Sequence, residues 1–192
     1  FSIDDASAVI GKIKLYNESI ISYKDYYEKY SSKIADGEEV TYLQAELSYR
    51  TSSSSIYPTY DKLDPATVPN NPQSTVLNTF GASNWSAAGS YVSWKANVPK
   101  AGMYKLTFRA RQNVNSGMIS YRNLYINGEI PFAEAKDIPF EYSQSWKMYT
   151  WGEDSQQLVY LEPGDVITLT CSTGDTSEVL RNVQSTVTDL NS

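Results

Sequence analysis

The stretch Lys100-Ala101-Gly102-Met103-Tyr104-Lys105-Leu106-Thr107-Phe108-Arg109-Ala110-Arg111-Gln112-Asn113 decides the fold, because it has the pattern of a turn followed by a long β-strand. From Tyr104 to Arg111, apolar residues alternate with basic or hydroxyl-bearing ones. Successive side chains of a strand point to opposite faces of the sheet, so one face is apolar and the other is polar. The polar face, with Arg109 and Arg111, is either the floor of a ligand site or simply a face in water.

The chain on both sides of this stretch continues the period of two. Further strands are predicted at residues 40–47, 76–80, 91–98, 122–127, 147–151, 158–161 and 166–172, beside the anchor strand at 103–112. Turn sequences such as Asn127-Gly128 and Glu162-Pro163-Gly164-Asp165 separate them. Many short strands with few helices between them indicate a mainly β protein, an antiparallel sandwich of two sheets.

Both ends of the chain have a helical period instead. The first stripe is Val9, Ile13, Tyr16, Ile20, Tyr23, Tyr27, Tyr30 and Ile34, and the second is Leu180, Val183, Val187 and Leu190. Spacings of three and four place each stripe on one helix face, and we expect the two helices to pair. The prediction is therefore an N-terminal helix over 1–37, a sandwich over 38–175 and a C-terminal helix over 176–192, cut from a longer protein.

Residues 50–73 interrupt the strand pattern with four consecutive serines and several prolines. They form either a flexible linker or an ordered loop laid over the sandwich. We expect an ordered loop, because apolar residues that could anchor it recur along this segment. These residues are Tyr49, Ile56, Tyr57, Tyr60, Leu63 and Val68.

Composition excludes several functions. A net charge of −6 and a pI near 4.7 argue against nucleic acid as a partner, and no apolar run is long enough for membrane insertion. The chain has no histidine, which removes Ser-His-Asp and Cys-His catalysis and histidine-bearing zinc sites. The single cysteine, Cys171, allows no internal disulfide and has the alternation of a small core residue.

Aromatic and polar residues on the predicted loops form the candidate ligand site. Its members are Asn78, Trp85, Arg111, Gln112, Asn113, Tyr121, Arg122 and Trp146. Sugars stack on aromatic rings while amides and guanidinium groups bind their hydroxyls, and loops on a rigid scaffold suit such a site. The alternative is that Trp85 and Trp146 cover the ends of the core and the amides cap turns.

Carboxylates suggest two weaker candidates. Glu46 and Asp175 lie near the first predicted strand and after the last one, where they could hold a structural calcium ion, a hard cation that prefers oxygen ligands. Glu129, Glu134, Asp137 and Glu141 could in principle supply a glycosidase pair, but spacing alone does not support one. A solvated acidic loop is the simpler explanation, and we expect no enzyme.

Several motifs carry a family resemblance. They are residues 44–46, residues 97–109 with the sequence Val98-Pro99-Lys100-Ala101-Gly102-Met103-Tyr104, residues 125–128 and residues 161–169. In these the chain resembles the galactose-binding-like jelly-roll domains, of the kind found in carbohydrate-binding module families 6 and 35. Residues 77–85, 111–113, 120–134 and 140–146 are more similar to the jelly-roll domains attached to extracellular solute-binding proteins of sugar ABC transporters in Gram-positive bacteria.

The resemblance spans roughly residues 40 to 175 and implies non-catalytic glycan binding at the cell surface. It implies an extracellular location, polysaccharide or oligosaccharide partners, further domains in the same chain, and a calcium-binding role for Glu46. The segment 50–73 departs from the short modules of these families. The alternative function is a structural spacer or protein-interaction domain on a helical stalk, without sugar binding.

Overall fold

The computed structural model describes residues 19–34, 40–114, 116–151 and 157–174. This part of the chain contains one α-helix, α1 (Tyr23–Tyr30), and eleven short strands. The strands are β1 (Arg50–Thr51), β2 (Pro58–Thr59), β3 (Thr79–Phe80), β4 (Tyr91–Lys95), β5 (Gly102–Lys105), β6 (Phe108–Ala110), β7 (Ser120–Ile126), β8 (Ile138–Phe140), β9 (Lys147–Tyr149), β10 (Leu158–Leu161) and β11 (Val166–Ser172). The prediction of a mainly β protein is confirmed.

A five-stranded sheet forms one layer. Its order is β1-β4-β11-β7-β8, and every neighbouring pair is antiparallel. Central strand β11 has the predicted bounds, and its buried residues Ile167, Leu169 and Cys171 alternate with half-buried ones. The Asn127-Gly128 turn follows β7, with φ of 52° and 87°, the left-handed conformation that a tight hairpin turn requires.

The anchor strand belongs to the second layer, where it is divided in two. β5 pairs with β10, whereas β6 pairs with β9. Leu106 and Thr107 separate the halves, and the strand changes its pairing partner at that point. The residues predicted as one strand therefore contribute to two ladders.

The two layers enclose one hydrophobic core. Leu124 and Ile167 from the five-stranded sheet belong to the same buried cluster as Met103, Val159 and Leu161 from the second layer. Leu124 and Val159 are completely buried. Apolar burial of this kind is the main stabilising contribution to a fold, so the two layers fold as one sandwich.

Among the described residues, the helix predicted over 1–37 spans only Tyr23–Tyr30 and packs on the β-layers, so the predicted pairing of two helices is not supported. Tyr23 and Tyr26 contact the ring of Phe132, with centroids 5.0 and 4.9 Å apart, and Tyr30 stacks on Tyr160 at 4.7 Å. The buried residue is Tyr26, whereas Tyr27 of the predicted seam is 37% exposed. The tyrosine face is thus used by the sandwich.

The second predicted helix, residues 176–192, lies outside the described residues, as do both predicted domain boundaries. Within the described part of the chain, no helix is long and apolar enough to cross a bilayer.

The edges of the sheet depart most from the predicted strands. Residues 40–47 form no strand; the chain turns where the Leu47 N–H donates to the Gln44 carbonyl (3.0 Å), and Trp94 Nε1 donates to the Ala45 carbonyl (2.9 Å). Strands β1, β2 and β8 were not predicted: β1 and β2 lie in the segment 50–73, which has no period of two, and β8 has only three residues. β8 contains Pro139, which an edge strand tolerates because one of its sides needs no ladder donor.

Candidate functional site

Three loops and the end of β11 meet at one end of the sandwich. Ala110 at the end of β6 pairs with Lys147 at the start of β9, and Gln112 forms a bridge with Tyr142. Tyr121 at the start of β7 pairs with Ser172 at the end of β11. These pairings place most of the predicted ligand residues at this end.

The densest group of polar side chains there is the Arg-Trp-Asp cluster, which we define as Asp61, Asp64, Arg109, Arg111 and Trp146. Trp146 Nε1 donates a hydrogen bond to Asp61 Oδ2 at 2.7 Å. The guanidinium carbons of Arg109 and Arg111 lie 4.7 and 5.0 Å from the centre of the Trp146 ring. A cation at this distance from an indole is attracted by the ring quadrupole, so the ring is held at its Nε1 edge and the two guanidinium groups lie over it.

Two ion pairs connect the strand to the loop above it. Arg111 Nη2 lies 3.1 Å from Asp61 Oδ2, and Arg109 Nη2 lies 2.7 Å from Asp64 Oδ2. Arg109 Nη1 also donates to Thr67 Oγ1 at 3.0 Å. Asp61 is almost fully buried, at 5% side-chain exposure, whereas the two arginine side chains remain 21–31% exposed. The cluster is balanced in charge and still reaches solvent through its arginines.

The charge of Asp61 is strongly supported. Burial by itself raises the pKa of this carboxyl, but the Leu63 N–H, the Trp146 Nε1–H and the two guanidinium groups together lower it below its ordinary value. Asp61 therefore stays ionised at neutral pH. The Asp61 carboxylate thus links its own loop, through the Leu63 N–H, to Trp146 and Arg111.

Asn78 serves the same loop rather than an open surface. Its side chain is buried; its Nδ2 donates to the carbonyls of Asp61 (3.0 Å) and Pro69 (2.9 Å), and its Oδ1 accepts from the Asp61 N–H at 2.8 Å. Because backbone groups hydrogen-bond to both ends of its amide, Asn78 fixes the loop that carries Asp61. It is not placed to touch a ligand.

The predicted apolar anchors of this loop are largely exposed. Ile56 is buried at 5%, but Tyr60, Leu63 and Val68 are 57%, 87% and 61% exposed. Buried polar residues hold the loop instead: Asp61, Thr67 and Asn78. Hydrophobic pattern could not reveal such anchors, because their partners lie far away in sequence.

Trp85 and Arg122 form a second aromatic-cation pair at this end. The Trp85 ring contacts Phe80 and Trp94, and the Arg122 guanidinium carbon lies 4.9 Å from its centre. Arg122 donates to Ser120 Oγ (2.8 Å) and to the carbonyls of Tyr121 (2.8 Å) and Trp85 (3.3 Å). Burial lowers the pKa of this guanidinium. The pair covers the end of the core, which is the alternative considered for Trp85.

The remaining predicted ligand residues have mixed surroundings. Gln112 Nε2 donates to the Met118 carbonyl (2.9 Å) and its Oε1 accepts from the Val114 N–H (3.1 Å), so this amide shapes the loop after β6. Tyr121 packs under Gly174 so closely that a Cβ on the glycine would collide with the ring. Asn113 is exposed at the rim.

The four acidic residues considered for a glycosidase pair have different surroundings. Glu134 Oε2 accepts from the Tyr23 N–H at the start of α1 (2.8 Å), and Asp137 accepts from Ser172 Oγ. Two of the four acids considered for a glycosidase pair are thereby engaged in the fold. Glu129 and Glu141 are exposed.

Glu46 is different, because its Oε2 is buried and has no hydrogen-bond partner within the described part of the chain. A buried carboxylate oxygen without a partner is costly, and it fits one ligand of a hard cation. Asp175, the other predicted ligand, lies outside the described residues, and no group of three His, Cys, Asp or Glu residues forms among those described. Further ligands would have to include backbone or amide oxygens.

A groove that was not predicted from the sequence lies at the Lys95 end of β4. This groove of about 440 Å³, here called the β4 groove, opens beside the strand. It is lined by Tyr42, Leu43, Gln44, Leu47, Ser48, Tyr49, Trp94, Lys95 and Asn97. Tyr42 and Leu47 are 82% and 74% exposed, although the period of two had placed them in a strand.

Comparison with known proteins gives limited similarity. No protein-family model and no curated protein matches the chain. Among solved structures, it is similar to a Paenibacillus sp. cycloisomaltooligosaccharide glucanotransferase complexed with cycloisomaltoheptaose (TM-score 0.43, 25% identity, 69% of this chain and 16% of that one). It is also similar to a family 35 carbohydrate-binding module from Clostridium thermocellum (TM-score 0.42, 20% identity, 62% of this chain and 79% of that one). The chain thus spans a small part of the glucanotransferase and most of the module.

Proposed function

We propose that this chain is a non-catalytic glycan-binding module and that the Arg-Trp-Asp cluster is its sugar site. The observation that carries the proposal is the Trp146 indole, held by Asp61 at 2.7 Å, with the guanidinium groups of Arg109 and Arg111 over its ring at 4.7 and 5.0 Å. An aromatic ring beside fixed donors and acceptors is the arrangement that sugar recognition needs.

The chemistry of the cluster suits a polyhydroxylated ligand. A guanidinium group carries more N–H donors than the contacts of Arg109 and Arg111 use, and hydroxyls accept such donors. Because the ion pairs and the indole hydrogen bond already hold the side chains, little conformational entropy is lost on binding. Asn113, exposed where the strand becomes a loop, adds an amide at the rim.

We also propose that Glu46 holds a structural calcium ion. Gly174, the neighbour of Asp175, lies at the other end of β11 beside Tyr121, so this proposal rests on Glu46 and not on Asp175. The partnerless oxygen of Glu46 supports this role. Bound calcium would stabilise the chain at the turn before β1 without taking part in chemistry. The wider setting that we propose is an extracellular or surface-anchored protein of a Gram-positive bacterium, with further domains and a connection to sugar ABC transport.

A glycan array followed by titration calorimetry tests the sugar site. Trp146→Ala removes the ring and should lower affinity for any glycan found at least tenfold, and Asn113→Ala should weaken it without disturbing the fold. Tyr27→Ala is the matched control, because it removes a partly exposed aromatic ring on α1, outside the cluster. Absence of binding across plant, fungal and bacterial polysaccharides would contradict the proposal, as would full affinity in folded Trp146→Ala protein.

A further inference from the structure

The β4 groove lies where the first strand of the sheet stops early. Register pairs Arg50 with Ser93 and Thr51 with Val92, so β1 does not reach Lys95. Before β1, the chain first contacts Asn97, whose carbonyl accepts from Thr41 Oγ1 at 2.9 Å, and then turns at residues 44–47. The groove therefore opens beside Lys95, where β1 no longer pairs with β4.

The backbone of Lys95 faces this groove. Hydrogen bonds of an antiparallel strand alternate between its two neighbours. In β4 and its extensions, Ala96 and Ser90 bond to the β11 side (2.7 and 2.8 Å), whereas Ser93 and Tyr91 accept from Tyr49 and Ser52 on the β1 side (2.7 and 3.0 Å). Lys95 follows Ser93 in this alternation, so its N–H and C=O point into the groove.

The side walls of the groove are apolar and its charge is positive. Tyr42 and Leu47 are exposed to solvent, and Trp94, which lines the same groove, is half-buried. Lys95 Nζ lies 4.5 Å from the centre of the Tyr49 ring, and the guanidinium carbon of Arg50 lies 5.0 Å from the same centre. Among the described residues that line the groove there is one cation and no acid, on a chain of net charge −6.

We propose that the β4 groove binds an extended, acidic segment of a partner protein. The segment adds alongside β4, bonds to the backbone of Lys95, and packs an apolar side chain against Tyr42, Leu47 and Trp94. Its carboxylates pair with Lys95 and Arg50. An open strand edge beside apolar pockets is the arrangement of β-strand addition, in which the backbone supplies affinity and the pockets supply specificity.

The apolar walls distinguish this site from the Arg-Trp-Asp cluster. Exposed leucine gives a sugar no hydroxyl partner, but it matches aliphatic side chains of a peptide, and contiguous exposed apolar surface marks protein contacts. The groove is also separate from the proposed sugar site, since it lies at the other end of β4. Failure of one proposal therefore leaves the other standing.

Panning a phage library of random peptides on the immobilised, intact chain tests the inference. We expect enriched peptides in which acidic and apolar residues alternate, and expect a fluorescein-labelled synthetic copy of the best one to bind in fluorescence polarisation. Lys95→Glu should weaken that binding at least tenfold and a Tyr42→Ser, Leu47→Ser double variant should abolish it. Methylation of the peptide backbone nitrogens on one edge should also weaken it. Leu63→Ser, the control, removes an apolar side chain that is 87% exposed and does not line the groove, so it should bind as the original chain does.

Any of four results would overturn the inference. They are no enrichment, enrichment of basic peptides, binding that Lys95→Glu leaves unchanged, and a groove filled by another occupant. Light scattering detects a second copy of this chain as a dimer that the Tyr42→Ser, Leu47→Ser variant dissociates. A glycan in the groove is detected when array binding is lost in that variant and kept in Trp146→Ala.

Discussion

The hydroxyl oxygen of Tyr26 in α1 accepts a hydrogen bond from the backbone N–H of Tyr160 in β10, at 2.9 Å. Tyr23 in the same helix accepts from the N–H of Leu158 at the same distance. These are alternate residues of β10, whose other side pairs with β5. Two tyrosine hydroxyls thus satisfy the outward N–H groups of a strand edge that would otherwise face solvent.

Removing the Tyr26 hydroxyl should destabilise the sandwich without emptying its core. For Tyr26→Phe we expect the free energy of unfolding to fall by about 1–2 kcal/mol, because the Tyr160 N–H loses its acceptor while the ring stays packed. Urea denaturation followed by tryptophan fluorescence measures this. Tyr27→Phe, on the exposed face of the same helix, should change stability by less than about 0.5 kcal/mol; equal losses in both variants would show that the hydrogen bond is unimportant.

Tyr26 also makes stability depend on alkaline pH. Burial, partly offset by the Tyr160 N–H, raises the pKa of Tyr26 to about 12 from the ordinary value of 10. The neutral phenol is therefore favoured in the folded state, and its stabilising contribution is complete below pH 10 and lost as pH rises toward 12. Thermal melts across this range should show a smaller alkaline loss in Tyr26→Phe than in the original chain.

Asp61 and its partners Arg111 and Trp146 form a polar clamp on the loop, and we expect this clamp to protect the loop from proteolysis. Asp61→Asn keeps the shape of the side chain but removes the charge that pairs with Arg111. Because Lys62 lies next to this clamp, trypsin should cut after it several times faster in the variant. Glu129→Gln, an exposed acid in a hairpin, is the control and should leave the cleavage rate unchanged.

Acid should loosen the same clamp in the unsubstituted chain. The folded pKa of Asp61 is lowered, so its contribution to stability is present above the unfolded pKa of about 3.9 and is lost as pH falls through the lower folded value. Pepsin digestion below pH 4 should therefore release the loop first. A loop cut no faster at pH 3 than at pH 5 would contradict the assignment.

Truncation of two apolar residues of the loop should change stability by very different amounts. Ile56→Ala removes a buried side chain and should lower the free energy of unfolding by about 2–4 kcal/mol. Leu63→Ala removes one that is 87% exposed and should change it by less than about 0.5 kcal/mol. Both values come from urea denaturation. A large loss in Leu63→Ala would restore the apolar anchoring expected from sequence.

Calcium should raise the melting temperature if Glu46 is a ligand. Millimolar Ca²⁺ added to chelator-treated protein should shift the melt upward, since a ligand that binds only the folded state stabilises it. Glu46→Gln should remove that shift and, by relieving a buried charge, lose little stability without calcium. Magnesium, which requires a tighter octahedral shell, is the matched control. An identical shift in Glu46→Gln would exclude this residue.

Strand β11 shows what could be predicted from residues alone. Its alternation of Ile167, Leu169 and Cys171 with polar neighbours placed both its bounds and its buried face correctly. The Asn127-Gly128 turn was also predictable, because few residues other than asparagine and glycine readily adopt its backbone angles. Local pattern succeeds here because the cause is local.

Trp146 and the tyrosines of α1 show what sequence could not decide. The sequence pattern marked Arg111 and Trp146 as candidates, but it could not reveal their contacts with Asp61. Asp61 and Trp146, which share a hydrogen bond, are 85 positions apart in the sequence. Likewise, the helical stripe indicated that one face is covered but not by which surface, and the structure covers it with β10 and Phe132.

The sequence by itself determined the β-rich class, the central strands, the main turns and the absence of histidine chemistry, since these follow from residue type and short-range spacing. Tertiary structure decided which polar residues became anchors, which aromatic rings were covered by cations, and where a strand ended early to open the β4 groove. These outcomes depend on long-range register and on the desolvation of charged groups, and neither is encoded in the local period of a chain.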